Sequence, residues 1–131
     1  MKPRDDRAVA AWLVLADSDI CVAEAVLDLE PPHPAQACFH AQQAAEKALK
    51  AVLEADEAAI PRTHDLVIVL GSVQARRASV EQLAEAAAFL ADYGVLPRYP
   101  TALEPASIAE AQTALKHARS VVAWAKAEFG S

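Results

Sequence analysis

The chain has 131 residues, a net charge of −6 at pH 7, 54% hydrophobic residues, 5% aromatic residues and 3 glycines. That hydrophobic share excludes intrinsic disorder. Alanine at about a quarter of the chain, with so little glycine and aromatic content, disfavours a sandwich or barrel and favours helices. The acidic balance argues against tight, unaided binding to a polyanion, which needs Lys and Arg to displace counterions.

The polar start, Met1 to Arg7, carries no apolar signal core, and no uninterrupted apolar run exceeds the nine residues Ala8 to Ala16, with Leu66 to Leu70 shorter still. A membrane span needs about 18 such residues, so the expected location is cytoplasmic, without membrane attachment. The length suits one domain over residues 1–131.

The first predicted helix covers Arg7 to Leu29. Trp12, Leu13, Ala16, Ile20, Ala23 and Leu27 recur at steps of three and four, one face of a 3.6-residue period. The run Glu30-Pro31-Pro32-His33-Pro34 ends it. A second helix is expected over Ala35 to Ala55, its apolar side rich in alanine, which lets neighbours approach closely. The stretch Asp56 to Thr63 reads as a loop. A short third helix covers His64 to Val73, with Thr63 as its N-cap and Gly71 at its frayed end. The fourth starts at Ser79, where Ser79-Val80-Glu81-Gln82 reads as a capping box, and runs to Tyr93 with Gly94 as a left-handed stop. A proline-rich loop, Val95 to Pro105, follows. The fifth helix starts at a second capping box, Ser107 with Glu110, and extends to Phe129. The expected fold is all-α: an up-and-down antiparallel bundle of four long helices plus one short helix.

Chemistry concentrates on the second helix. Gln43, Glu46, Lys47 and Lys50 stand at i, i+3, i+4 and i+7, and His40 extends the stripe by a turn. It reads either as a solvated face with an ordinary Glu46–Lys50 pair or as a ligand site. Arg98 suits a phosphate or carboxylate, Tyr99 suits a base or the core, and the loop reads equally well as purely structural. His64 suits an anion beside a helix N-terminus or simply a cap. Metal sites find no support, since Glu30 and His33 lie in a proline-rich turn. Neither a Ser nucleophile motif nor a Gly-rich phosphate loop is present. Cys38 and His40 point to different helix faces, and Cys21 and Cys38 read as two reduced, buried thiols. Trp12 and Trp124 read as core or dimer anchors. Arg76, Arg77, Lys116, Arg119 and Lys126 read as solvated charges.

Three strings, FHAQQAAEKALKAVL, PRTHDLVIVL and LADYGVLPRYP, occur in order along the chain and resemble a HEPN domain. These small helical domains accompany, or are fused to, minimal nucleotidyltransferases, and they are often dimers. The resemblance implies a helical bundle, a homodimer, a nucleotide or RNA ligand, no cofactor, and a nucleotidyltransferase partner in a toxin–antitoxin type of pair. Many HEPN proteins are metal-independent RNases whose motif is an Arg followed about four to six residues later by a His. Such a His moves the proton of a 2′-hydroxyl, and the Arg neutralises charge at phosphorus. This chain departs from that motif: Arg98 is followed by Tyr99-Pro100-Thr101-Ala102-Leu103-Glu104, with no His in range. Arg98-Tyr99-Pro100 resembles instead an Arg-Tyr-Pro subgroup to which nucleotide binding is attributed. The resulting ligand set is Arg98, Tyr99, Lys47, Gln43, Glu46, His40 and His64, with Arg98 and Lys47 on phosphate, Tyr99 on a base and Glu46 orienting Arg98. For the RNase alternative, the catalytic candidates are Arg98 with His64, or with His40 in its place.

Overall fold

The computed structural model describes residues 5–94 and 106–129. Among the described residues, five α-helices and one 3-10 helix make up the regular structure: α1 Asp6–Leu27, α2 Pro34–Ala55, α3 Leu66–Gln74, the 3-10 helix Ala78–Leu83, α4 Ala84–Ala91 and α5 Ile108–Phe129. The described residues contain no strand. Three helices are long and two are short.

α1 starts where Asp5 accepts hydrogen bonds from the backbone N–H groups of Arg7 (3.0 Å) and Ala8 (3.2 Å). α2 opens with Pro34 in its first turn, where a missing N–H costs nothing. It ends through a left-handed residue, Glu57 (φ 58°), as the Ala58 N–H closes back onto the Leu53 carbonyl at 3.0 Å. α1 and α2 form an antiparallel hairpin, with α5 against both and α3 and α4 closing the remaining side of α2. α2 is therefore the central rod. Ala41, Ala44, Ala45, Ala48, Leu49, Val52 and Leu53 are all buried on it, and Ala16, Ala23, Ala114 and Ala118 meet it from α1 and α5. Small side chains at these crossings let the backbones pack closely.

Several expectations need correction. The predicted helix Ser79 to Tyr93 is divided. Its first five residues belong to the 3-10 helix, which suits Val80 and Leu83, buried three apart in a helix of three residues per turn. Ser79 caps nothing and instead accepts from the Gln82 amide through its carbonyl (3.1 Å). The second box does form, with Glu110 N–H on Ser107 Oγ at 3.0 Å. α3 is capped by Asp65, which accepts from Val67 N–H at 3.0 Å, while Thr63 Oγ1 accepts from Asp65 N–H. Gly71 lies inside α3, not at its end. Gly94 has no positive φ. It is a point of close approach, where a Cβ would stand 3.3 Å from the His64 carbonyl oxygen and 3.4 Å from Gln42 Nε2. Cys21 is exposed; Cys38 is buried, and burial pushes its thiol up to about 11.

Arg77 is not a solvated charge. Its guanidinium forks onto Asp56 (Nη2–Oδ1 2.6 Å, Nε–Oδ2 2.8 Å) and reaches Glu128 at 3.0 Å, tying the α3–α4 connection to the ends of α2 and α5. These hydrogen bonds hold its pKa above the usual arginine range. No described helix is long and apolar enough to cross a membrane.

Candidate functional site

The polar stripe of α2 is largely buried because α2 is surrounded on all sides. Glu46 is 2% exposed, Lys50 8% and Gln42 fully buried, so the expected solvated face does not exist. The residues form two adjoining clusters of one design, in which a carboxylate holds one lysine and the Nδ1 of one histidine.

In the first cluster Asp19, from the buried side of α1, accepts from Lys47 Nζ at 2.6 Å and bonds His40 Nδ1 at 2.9 Å. In the second, Glu46 accepts from Lys50 Nζ at 2.9 Å and bonds His64 Nδ1 at 3.1 Å. Gln42 donates to Glu46 (3.3 Å) and to the His64 carbonyl (3.0 Å), and Gln43 donates to Gln42 Oε1 at 2.7 Å. Lys50 Nζ also lies 5.8 Å from the centre of the Trp12 ring. The buried charges of Asp19, Glu46 and Lys50 thus each meet an opposite charge, which offsets desolvation. No buried side-chain polar atom among the described residues lacks a partner.

An ionised carboxylate can only accept, so the hydrogen on His64 lies on Nδ1. In the neutral ring Nε2 is then a free acceptor; in the charged ring it is a second donor. The His64 side chain is 69% exposed. Its ring is anchored from below and open above, beside a shallow depression of about 310 Å³ lined by His64, Asp65, Ala91, Asp92 and Gly94. Gly94 is the last described residue before the segment bearing Arg98 and Tyr99.

Across that segment, Tyr93 donates its phenolic hydrogen to Glu110 at 2.8 Å, joining the end of α4 to the first turn of α5. Burial, then this bond, raises the Tyr93 pKa well above the usual phenol range. The same bond, helped by Ser107, lowers that of Glu110.

Of the sequence-derived residues, Glu46, Gln43 and His64 belong to one cluster, and His40 and Lys47 to the other. Arg98 and Tyr99 lie outside the described residues. Glu46 is occupied by Lys50, His64 and Gln42, so among the described residues the group it orients is His64. Three contributors were missed. Asp19 had a signal: three residues after Ala16 and four before Ala23, it is a carboxylate on the apolar face of α1. Gln42 flanks the recognised stripe, and Gly94 was read only as a helix stop.

The class defined by these features is an all-helical bundle around a central helix that carries a buried polar network. The chain belongs to the HEPN domain family, whose model matches residues 9–128. It is similar to the crystal structure of TT1696 from Thermus thermophilus, at 31% identity and a TM-score of 0.78, over 90% of this chain and 95% of that one. It shares its fold with the crystal structure of ST0689, an archaeal HEPN homologue, at 23% identity and a TM-score of 0.73, over 93% and 98% of the two chains. No protein with a curated description matches it.

Proposed function

We propose that this HEPN domain is a homodimeric, nucleotide- or RNA-associated module that works beside a minimal nucleotidyltransferase in a toxin–antitoxin type of pair. The partner part of this reading rests on the resemblance of its three strings to nucleotidyltransferase-associated HEPN domains. The observation that carries the ligand part is the His64 imidazole. It is fixed through Nδ1 by buried Glu46, and its open edge borders the depression that reaches Gly94. Four peptide units separate Gly94 from Arg98 and span at most about 14 Å, so the Arg98 backbone is tethered within reach of His64. In this reading Arg98 and Lys47 meet phosphate, Tyr99 packs on a base, and His64 hydrogen-bonds the sugar or phosphate edge. His40 and Gln43 line the flank.

Calorimetric titration with ATP, GTP and a short RNA tests it. Binding below millimolar that falls at least tenfold in both Arg98→Ala and His64→Ala, but not in Arg76→Ala, is the expected outcome. Unchanged affinity in those two variants removes the site.

The second reading is a metal-independent RNase, favoured by one specific feature. A carboxylate on Nδ1 presents Nε2 in the tautomer a general base requires. RNA incubated with the chain and a chelator is then cleaved, and His64→Ala abolishes cleavage. No cleavage by the unaltered chain leaves the binding reading alone.

A further inference from the structure

Two of the strings quoted above, PRTHDLVIVL and LADYGVLPRYP, each carry an aspartate to which the reading of the site gives no part, Asp65 and Asp92. The fold brings the two together. Asp65 stands at the entry of α3 and Asp92 at the end of α4, and both line the depression of about 310 Å³ beside the His64 ring, with Ala91 and Gly94. Both are exposed. Asp65 gives Oδ1 to the Val67 N–H, and no described group bonds its Oδ2. The Asp92 carboxylate forms no hydrogen bond or ion pair among the described residues.

The described lining is thus two carboxylates, one imidazole and a small apolar patch, without a Lys or Arg. Lys47 stands in the other cluster, on Asp19. A carboxylate only accepts hydrogen bonds. A phosphate in the depression would meet two like charges, with His64 as its one side-chain donor, and only when the ring is charged. The depression suits a group that presents neighbouring donors instead.

We infer that the depression takes the cis-diol of a ribose. The ligand is then a ribonucleotide whose 2′- and 3′-hydroxyls are both free: a mononucleotide or the 3′ end of an RNA, rather than a deoxynucleotide or the interior of a strand. This rests on the nucleotide part of the reading above and names its substrate class.

The chemistry of each group agrees. Acidic side chains hold ribose hydroxyls in dinucleotide-binding folds, and the 2′-hydroxyl is what separates ribose from deoxyribose. A hydroxyl both donates and accepts, so it suits His64 Nε2 in either state of the ring. Glu46 fixes that ring through Nδ1, so the wall opposite the carboxylates is held in place. A 3′-phosphodiester would remove a donor and set a negative charge among the aspartates. The guanine edge, with N1–H and its amino group, also presents neighbouring donors. The base, however, already packs on Tyr99 in this reading, which leaves the sugar for the depression.

Calorimetric titration of the full chain with ATP, 2′-deoxy-ATP, 3′-deoxy-ATP, GTP and ITP tests it, together with two short RNAs of one sequence, ending in a 3′-hydroxyl or a 3′-phosphate. ATP should bind at least about tenfold more tightly than either deoxy form, the effect of one hydrogen bond to a charged acceptor. If the RNA binds, the 3′-phosphate should weaken it as much. Asp92→Ala, on an open surface, should keep the melting temperature and lower ATP to the level of the deoxy forms, whereas Asp28→Ala, another exposed aspartate, should keep the ribose preference. Equal binding of ATP and the deoxy forms, with Arg98→Ala and His64→Ala still weakening both, overturns the diol and leaves the nucleotide reading standing. RNA that binds alike with either end overturns the diol as well. GTP that binds at least about tenfold more tightly than ITP, without a ribose preference, puts a base in the depression and also overturns it. A chain that binds none of these below millimolar overturns both readings.

Discussion

Replacing Glu46 by Gln keeps the shape of the side chain and removes its charge. The change strands the Lys50 ammonium, which is 8% exposed and bonded to Glu46 at 2.9 Å. Removing one partner of a buried ion pair costs about 3–5 kcal/mol, because the other charge remains desolvated. The Trp12 ring near Lys50 Nζ returns part of that, which places Glu46→Gln near 3 kcal/mol. For a domain whose whole stability is about 5–15 kcal/mol, the loss amounts to a fall in melting temperature of roughly 12 °C. Lys50→Met should cost less, about 1–2 kcal/mol, since Glu46 keeps the Gln42 amide and His64 Nδ1 as donors. The double variant removes both charges and should lie within about 1 kcal/mol of the unaltered chain. Urea denaturation of all four proteins closes the cycle, with an expected coupling of at least about 2 kcal/mol. Additive single effects, or a Glu46→Gln variant as stable as the parent, would refute the claim that the α2 stripe is a buried, paired network.

Three further outcomes follow from the geometry. Arg77→Ala releases Asp56 and Glu128 together and should cost about 2–3 kcal/mol in chemical denaturation, with Arg77→Lys recovering only part because a single ammonium cannot fork onto Asp56. The two described glycines should respond to alanine with opposite sign in thermal melts: Gly71→Ala gains about 0.5–1 kcal/mol, being inside α3 with nothing within 4 Å of a new Cβ, and Gly94→Ala loses about 1 kcal/mol against the His64 carbonyl. Cys38 sets an alkaline limit: between pH 9 and about 11 the unfolded thiol ionises while the folded one stays protonated, so stability falls as pH rises, by a few kcal/mol at most, and Cys38→Ala should flatten that slope in pH-dependent denaturation.

The long helices were legible because periodicity over six turns is a strong signal, and the bounds of α1, α2 and α5 moved by no more than two residues. The fourth segment was less so. Apolar residues at 80, 83 and 86 fit a 3-10 start as well as an α-helical one, and sequence alone does not choose between them. The largest misreading concerned the environment of α2. Periodicity divides a helix into an apolar and a polar face and assigns the polar one to water. It cannot register that α1 brings Asp19 over one edge of that face and the α2–α3 connection brings His64 over the other. Arg77 failed for a related reason, since Glu128 stands 51 residues away and no local pattern links them.

The string FHAQQAAEKALK thus marks a structural network before it marks a ligand site. A motif whose residues hold the fold together will identify the family whether or not each copy binds anything. Loss of function after substituting Glu46, Lys50 or Gln42 therefore carries no functional message, because the same change unseats the central helix. His64 differs. Its backbone carbonyl is held by Gln42 and its Nδ1 by Glu46, yet most of the ring faces solvent and, among the described residues, nothing bonds Nε2. Truncating it strips one donor from Glu46 and leaves Lys50 and Gln42 in place. A His64→Ala variant should keep most of its stability, so an effect on ligand binding there reports on the site itself.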